Sequence, residues 1–87
     1  MGIEIAAQVS IYPLRQASLT PAIDAVREAL ERRGLTPEMG PMSTFVYGDS
    51  DATFAALRDA FEGAATLGAV VMSVTVSNAC PRPGSPR

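Results

Sequence analysis

Residues 3–12 alternate in character. Ile3, Ile5, Ala7, Val9 and Ile11 fall on one side, and Glu4, Ala6, Gln8, Ser10 and Tyr12 on the other. A period of two predicts a half-buried strand. Pro13 ends its ladder, since proline has no N–H to donate. The period then changes. In "SLTPAIDAVREALERRG", Ile23, Val26 and Leu30 recur at helical spacing. Thr20 suits the N-cap, Pro21 the first helical position and Gly34 the stop. Arg32 and Arg33 suit the negative end of the helix dipole. "LTPEMGPMSTFVYG" predicts two short strands joined at Gly40-Pro41, or one strand bent there, because Pro37 and Pro41 oppose a regular central strand. "DSDATFAALRDAFEGA" predicts a second helix, capped by Asp49 or Ser50, with Phe54, Leu57 and Phe61 as its stripe. In "AVVMSVTVSN", Val70, Met72, Val74 and Val76 share one face, and Val71, Ser73, Thr75 and Ser77 the other. "CPRPGSPR" reads as a loose tail.

The resulting order is βαββαβ. "FVYG" followed by "LRDAF" weakly echoes "SIYP" followed by "VREAL". Two interlocking β-α-β units predict an α+β, ferredoxin-like sandwich, a four-stranded antiparallel sheet with two helices on one face. Residues 1–81 would form this single domain and residues 82–87 a disordered Pro/Gly tail. The first and last strands would be neighbours. Their outer face would then carry Gln8, Ser10, Tyr12, Ser73, Thr75 and Ser77. That face is polar yet uncharged, which suits a second sheet or a ligand better than bulk water.

Ser43 and Thr44 open the third strand, beside the first. Alternation sends one of them to the face of Ser10, and the pattern alone leaves open which. Their hydroxyls could read the edge of a heteroaromatic ring, with Tyr12 or Tyr47 to stack on it. Hydroxyl residues after Gly-Pro also commonly satisfy turn backbone, and that alternative stands beside the first.

Composition narrows the functional classes. A chain of 87 residues makes one domain. At this length about 60–65% of the unfolded surface is buried, so the isolated monomer should be modestly stable and assembly would supplement its core. With a net charge of −2 and a pI near 4.9, no basic stripe is present and no nucleic-acid partner is expected. The apolar runs are too short for membrane insertion, and the first fifteen or so residues lack the pattern of a signal peptide. The lone Cys80 cannot form an internal disulfide, so a cytoplasmic location is expected, with Cys80 a small hydrophobe at a strand end. There is no histidine. That removes the commonest general base and metal ligand, and no metal, cofactor or catalytic residue is expected.

Three stretches carry a resemblance: "AQVSIYPL" (residues 7–14), "GPMSTFVYGDSDATF" (40–54) and "VTVSNACP" (74–81). Together, at consistent spacing over roughly residues 4–81, they resemble the YkoF-like thiamine/hydroxymethylpyrimidine-binding proteins. The resemblance implies a ferredoxin-like domain that binds thiamine or its pyrimidine moiety without catalysis. Family members fuse two such domains, and this chain has one, so a homodimer or homotetramer would restore the doubled unit. Carried over residue by residue, the resemblance implies Ser10, Ile11 and Tyr12 as ligand-binding candidates, Ile11 through its backbone. It also implies Ser43 and Thr44 on the opposing wall, Thr44 preferred, and Asn78 more weakly. Ser10 and Thr44 would then face one cleft. Met39 and Met42 would line a wall or the core. Glu38, Asp49 and Asp51 lie near that wall, with turn and helix-start roles of their own.

Two rival readings remain. An interaction module would use the uncharged face only to assemble. A small ferredoxin-like enzyme of the acylphosphatase kind would need an anion cradle, for which Arg15 is placed after the first strand but the glycine-rich loop is missing.

Overall fold

The alternation in the first strand is realised over ten residues. A computed structural model describes residues 2–40 and 43–79. Its elements are β1 (Glu4–Pro13), α1 (Thr20–Arg32), β2 (Glu38–Met39), β3 (Thr44–Asp49), α2 (Ser50–Ala65) and β4 (Val70–Ser77). The sheet runs β2-β3-β1-β4, antiparallel throughout, with β1 in the middle. This is the α+β, ferredoxin-like arrangement that the βαββαβ order predicts. "LTPEMG…STFVYG" makes two strands, β2 and β3, rather than a bent one. Pro41, Met42 and everything from Cys80 onward, including the tail, lie outside the described residues.

Both helices cover one face of the sheet. The core joins Ala7 and Val9 of β1 and Val46 of β3 to Ala22, Val26, Ala29 and Leu30 of α1 and Ala56, Leu57, Ala60 and Ala64 of α2. Ile11, Val70, Met72 and Val74 pack partly buried against it. Gly48 stands where β3 runs beneath Leu35 and Thr53. A Cβ there would lie 2.7 Å from Leu35 Cδ2 and 3.3 Å from Thr53 Oγ1. Only glycine admits that approach without displacing a neighbour.

The helix ends depart in part from expectation. Thr20 is the first residue of α1, and its N-cap is Leu19, which has no side-chain cap. The Ser18 hydroxyl, two residues earlier, accepts from Thr20 N at 3.3 Å. Gly34 ends the helix as expected, at φ +80°, with its N–H bonded to Glu31 O. The choice between Asp49 and Ser50 at α2 falls to Asp49, whose carboxylate accepts from Ala52 N at 3.2 Å. The other carboxylate oxygen accepts from Gly2 N at 2.9 Å, which ties the chain start to this cap.

The expected stripe of α2 is corrected. Leu57 is buried, but Phe54 and Phe61 are exposed. The buried line is Thr53, Ala56, Leu57, Ala60 and Ala64, shifted by one position around the helix. Small side chains let α2 lie close to α1 and the sheet, and bulky phenylalanines on that line would hold it off. The two helices are also joined at the surface, where the Arg33 guanidinium meets Asp59 at 2.9 Å.

Candidate functional site

The register separates residues that are adjacent in sequence. Thr44 pairs with Val9, and Phe45 with Gln8. Thr44 therefore joins Val9 on the helix-covered face and is itself buried. Ser43 turns the other way, and its Oγ accepts from Gln8 Nε2 at 3.2 Å. Ser10 pairs with Ser73 and Gln8 with Thr75, so the expected polar patch forms on the open face, although the same face also carries Glu4 of β1 and Glu38 of β2, which pairs with Phe45. The choice left open by pattern is thereby resolved: Ser43, not Thr44, belongs to the face of Ser10. The expectation that Ser10 and Thr44 share a cleft is overturned, because alternation along β1 puts Ser10 opposite to Val9 and its partner Thr44.

A cavity of about 160 Å³ opens between the first half of α1 and the sheet, where β1 ends and β3 begins. Its walls are Val9 and Ile11 from β1, and Leu19, Ile23 and Val26 from α1 and the residue before it. Met39, Gly40, Ser43 and Thr44 close the side toward β2 and β3, and Tyr12 stands at the β1 end. Four expected site residues, Ile11, Tyr12, Ser43 and Thr44, thus come together here. Met39 joins them, as a wall residue should. Ser10 is outside the lining. So is Asn78, which follows Ser77, and Ser77 pairs with Ala6 of β1. Ala6 and Val9 are three residues apart, so Asn78 lies about 10 Å or more along the sheet from the cavity floor.

Among the described residues, the lining carries no charged side chain. Its polar groups are hydroxyls, and one is weakly engaged: Thr44 Oγ1 donates to Met39 Sδ at 3.4 Å. A thioether is a poor acceptor, so this hydroxyl can exchange it for a ring nitrogen at small cost. Leu19 and Met39, at the mouth, remain about half exposed. The pattern reading missed Val9, Leu19, Ile23, Val26 and Gly40 as wall residues. Ile23 offered a signal, since it is only partly buried although it stands on the apolar stripe of α1.

A second hollow, of about 220 Å³, is lined by Gly34, Thr36, Glu38 and Tyr47. It is the larger by volume, but its lining is mostly polar and has little apolar wall to exclude water. The first cavity is the better ligand site. Among the described residues there is no cluster of ligating side chains that could hold a metal ion. Arg15, at φ 57°, is exposed and lies outside the lining of either hollow.

A family model described as thiamine-binding protein matches residues 7–79. The chain belongs to this family. The match spans every element of the fold, including both strands that frame the cavity. Solved structures share the architecture of this thiamine-binding family domain. A hypothetical protein from Methanocaldococcus jannascii superposes with a TM-score of 0.80 at 25% identity, covering 94% of this chain and 87% of its own. A putative thiamine biosynthesis/salvage protein from Thermotoga maritima gives a TM-score of 0.74 at 17% identity, covering 85% and 82%. A domain of unknown function from Bacillus cereus gives 0.75 at 20% identity, covering 98% and 82%. No curated protein matches the chain. A thiamine-related binding role follows from the family. Among the described residues, no helix is long and apolar enough to cross a membrane.

Proposed function

We propose that the domain binds thiamine, or its hydroxymethylpyrimidine moiety, without chemically changing it, and that the pyrimidine ring sits in the cavity beneath α1. The observation that carries this is the cavity's size and lining. About 160 Å³ accommodates one small ring, as cavities of about 150 Å³ take up benzene. Among the described residues its lining has no cation to hold a phosphate and no carboxylate to hold a thiazolium. The neutral half of the ligand therefore goes in, and the charged half stays at the mouth, by Leu19 and Met39. Thr44 Oγ1 supplies a hydroxyl for a ring nitrogen or the exocyclic amine, while Ser43 and Tyr12 border the rim. Ser10 and Asn78 do not take part in this arrangement. At roughly 0.3–0.5 kcal/mol per heavy atom, a ligand of about 18 such atoms would bind with a Kd of about 10⁻⁴ to 10⁻⁷ M, which suits a carrier, salvage or sensing protein.

The working unit in this reading is a homodimer or homotetramer, in the cytoplasm. Support comes from the small core and from the hydroxyl-rich patch of Gln8, Ser10, Ser73 and Thr75, on the sheet face opposite the two helices.

Calorimetric titration with hydroxymethylpyrimidine, thiamine and thiamine diphosphate tests the proposal. The expected result is measurable binding of all three, with the pyrimidine alone retaining most of the affinity. Binding of none, together with no thermal shift, would leave the interaction-module reading.

A further inference from the structure

Met39 stands where the cavity meets solvent. It belongs to β2, a strand of only two residues at one edge of the sheet, and pairs there with Thr44. Directly opposed residues of an antiparallel pair share a face, which brings the Met39 side chain beside the Thr44 hydroxyl. Thr44 Oγ1 donates to Met39 Sδ at 3.4 Å. The two partners differ in access, since Thr44 is 6% exposed and Met39 48%. A side chain open to solvent therefore holds, through its sulfur, the buried hydroxyl of the cavity lining. The other methionine among the described residues, Met72, packs partly buried against the core and lies outside that lining.

We propose that Met39 is a modification site, a peroxide-sensitive switch whose oxidation to the sulfoxide shuts the cavity to a ring. This deepens the proposed function and rests on it. The Sδ lone pair attacks one oxygen of hydrogen peroxide, the O–O bond breaks, and the departing hydroxide leaves as water with the proton of the transferred oxygen. Two electrons pass from sulfur to peroxide. Two effects follow, both against binding. A thioether is a weak acceptor, whereas a sulfoxide oxygen is a strong one. With Oγ1 and Sδ already 3.4 Å apart, the new oxygen reaches the Thr44 hydroxyl after a small shift. It then keeps the donor that a ring nitrogen would otherwise take. The second effect is on the wall itself. Oxidation turns a flexible apolar side chain into a polar, larger one, beside a space of about 160 Å³ that holds one small ring. The change is reversible, because methionine sulfoxide reductases return the sulfoxide to the thioether.

The test treats the folded protein with hydrogen peroxide and follows it by peptide mass spectrometry, thermal melting and calorimetric titration with hydroxymethylpyrimidine. Met39 should gain one oxygen before Met72 does, and more slowly when hydroxymethylpyrimidine is bound. Affinity should then fall about tenfold or more, the effect of denying a buried polar ligand one hydrogen-bond donor, with the melting transition kept. Methionine sulfoxide reductase should bring the affinity back. Met39→Leu removes the sulfur, so its affinity, whatever its starting value, should not change on peroxide treatment. Absence of binding before any oxidation overturns the ligand reading and the switch with it. Binding that is unchanged once Met39 is fully oxidised overturns the switch alone. So does oxidation of Met72 ahead of Met39, or loss of the melting transition. An equal fall in Met39→Leu also overturns it, and would place the effect at another oxidisable residue such as Met42 or Cys80.

Discussion

The covered and open faces of the sheet are made from the same strands but solve different problems. On the covered face, Ala7, Val9, Val46 and Gly48 meet two helices whose contact lines are rich in alanine. Packing there is close, down to the missing Cβ at Gly48. It leaves a space open beneath the first half of α1, bordered by Leu19, Ile23, Thr44 and Met39. The open face carries hydroxyls and aromatic residues, with Ser10, Ser73, Thr75, Phe45 and Tyr47 on the side away from both helices. A ring-sized cavity thus arises as a local defect in a good core. The middle of the open face is set by hydroxyls instead, with charge only toward its ends, at Glu4 and Glu38.

The sharpest way to break this contrast is to place one charge on each face at adjacent positions. Val46 is fully buried, whereas Phe45 is 38% exposed. Val46→Asp should abolish folding, since an unpaired buried carboxylate costs several kcal/mol, comparable to the stability of a domain this small. Phe45→Asp should leave the secondary structure intact. Circular dichroism melting of both variants checks this, and two equally folded proteins would show that the face assignment is wrong.

The next largest effect concerns the ligand. Thr44→Val keeps the branched shape but removes the hydroxyl beside the cavity. It should lower thiamine affinity by about 1–3 kcal/mol, roughly 5- to 150-fold, with little change in Tm, because among the described residues the side-chain bond lost in the free protein is the weak one to Met39 Sδ. Ser10→Ala, on the other face, should leave affinity unchanged. A loss on Ser10→Ala that matches Thr44→Val would move the ligand to the open face.

The smallest effect lies away from both faces. The hydrogen bond from Arg33, aided by the nearby charges of Arg33, Arg58 and Arg32, holds the Asp59 carboxyl below its ordinary range. Its ionised form is the stabilised one. The contribution is therefore full above the unfolded carboxylate value of about 3.9 and is lost as pH falls through the lower folded value. Asp59→Asn should lower Tm slightly at neutral pH and make no difference in strong acid. A difference that persists in strong acid would mean that packing, not charge, joins the helices there.

Much of the framework could be read from local pattern. The period-two runs of β1 and β4, the Asp49 cap and the Gly34 stop each depend on residues within a few positions of one another, and each formed. The phase of α2 could not be read this way. Phe54 and Phe61 are the most hydrophobic residues of that helix, yet the close approach of α1 selects the alanine line instead. Of the six candidate site residues, Ile11, Tyr12, Ser43 and Thr44 meet at one cavity, while Ser10 and Asn78 do not.

By itself the sequence determined which residues share a strand face, where the chain turns, that hydroxyls gather on one side of the first and last strands, and that histidine chemistry is unavailable. These are properties of spacing and composition. Which side of β3 takes Thr44, and where the core stays open, were decided only in three dimensions. A strand's face is assigned by the register of its neighbour, here Val9 against Thr44, and a one-residue slip would reverse it. The cavity belongs to no segment. It is the space left when α1, β1 and the β2–β3 edge, distant in sequence, cannot all come into contact at once.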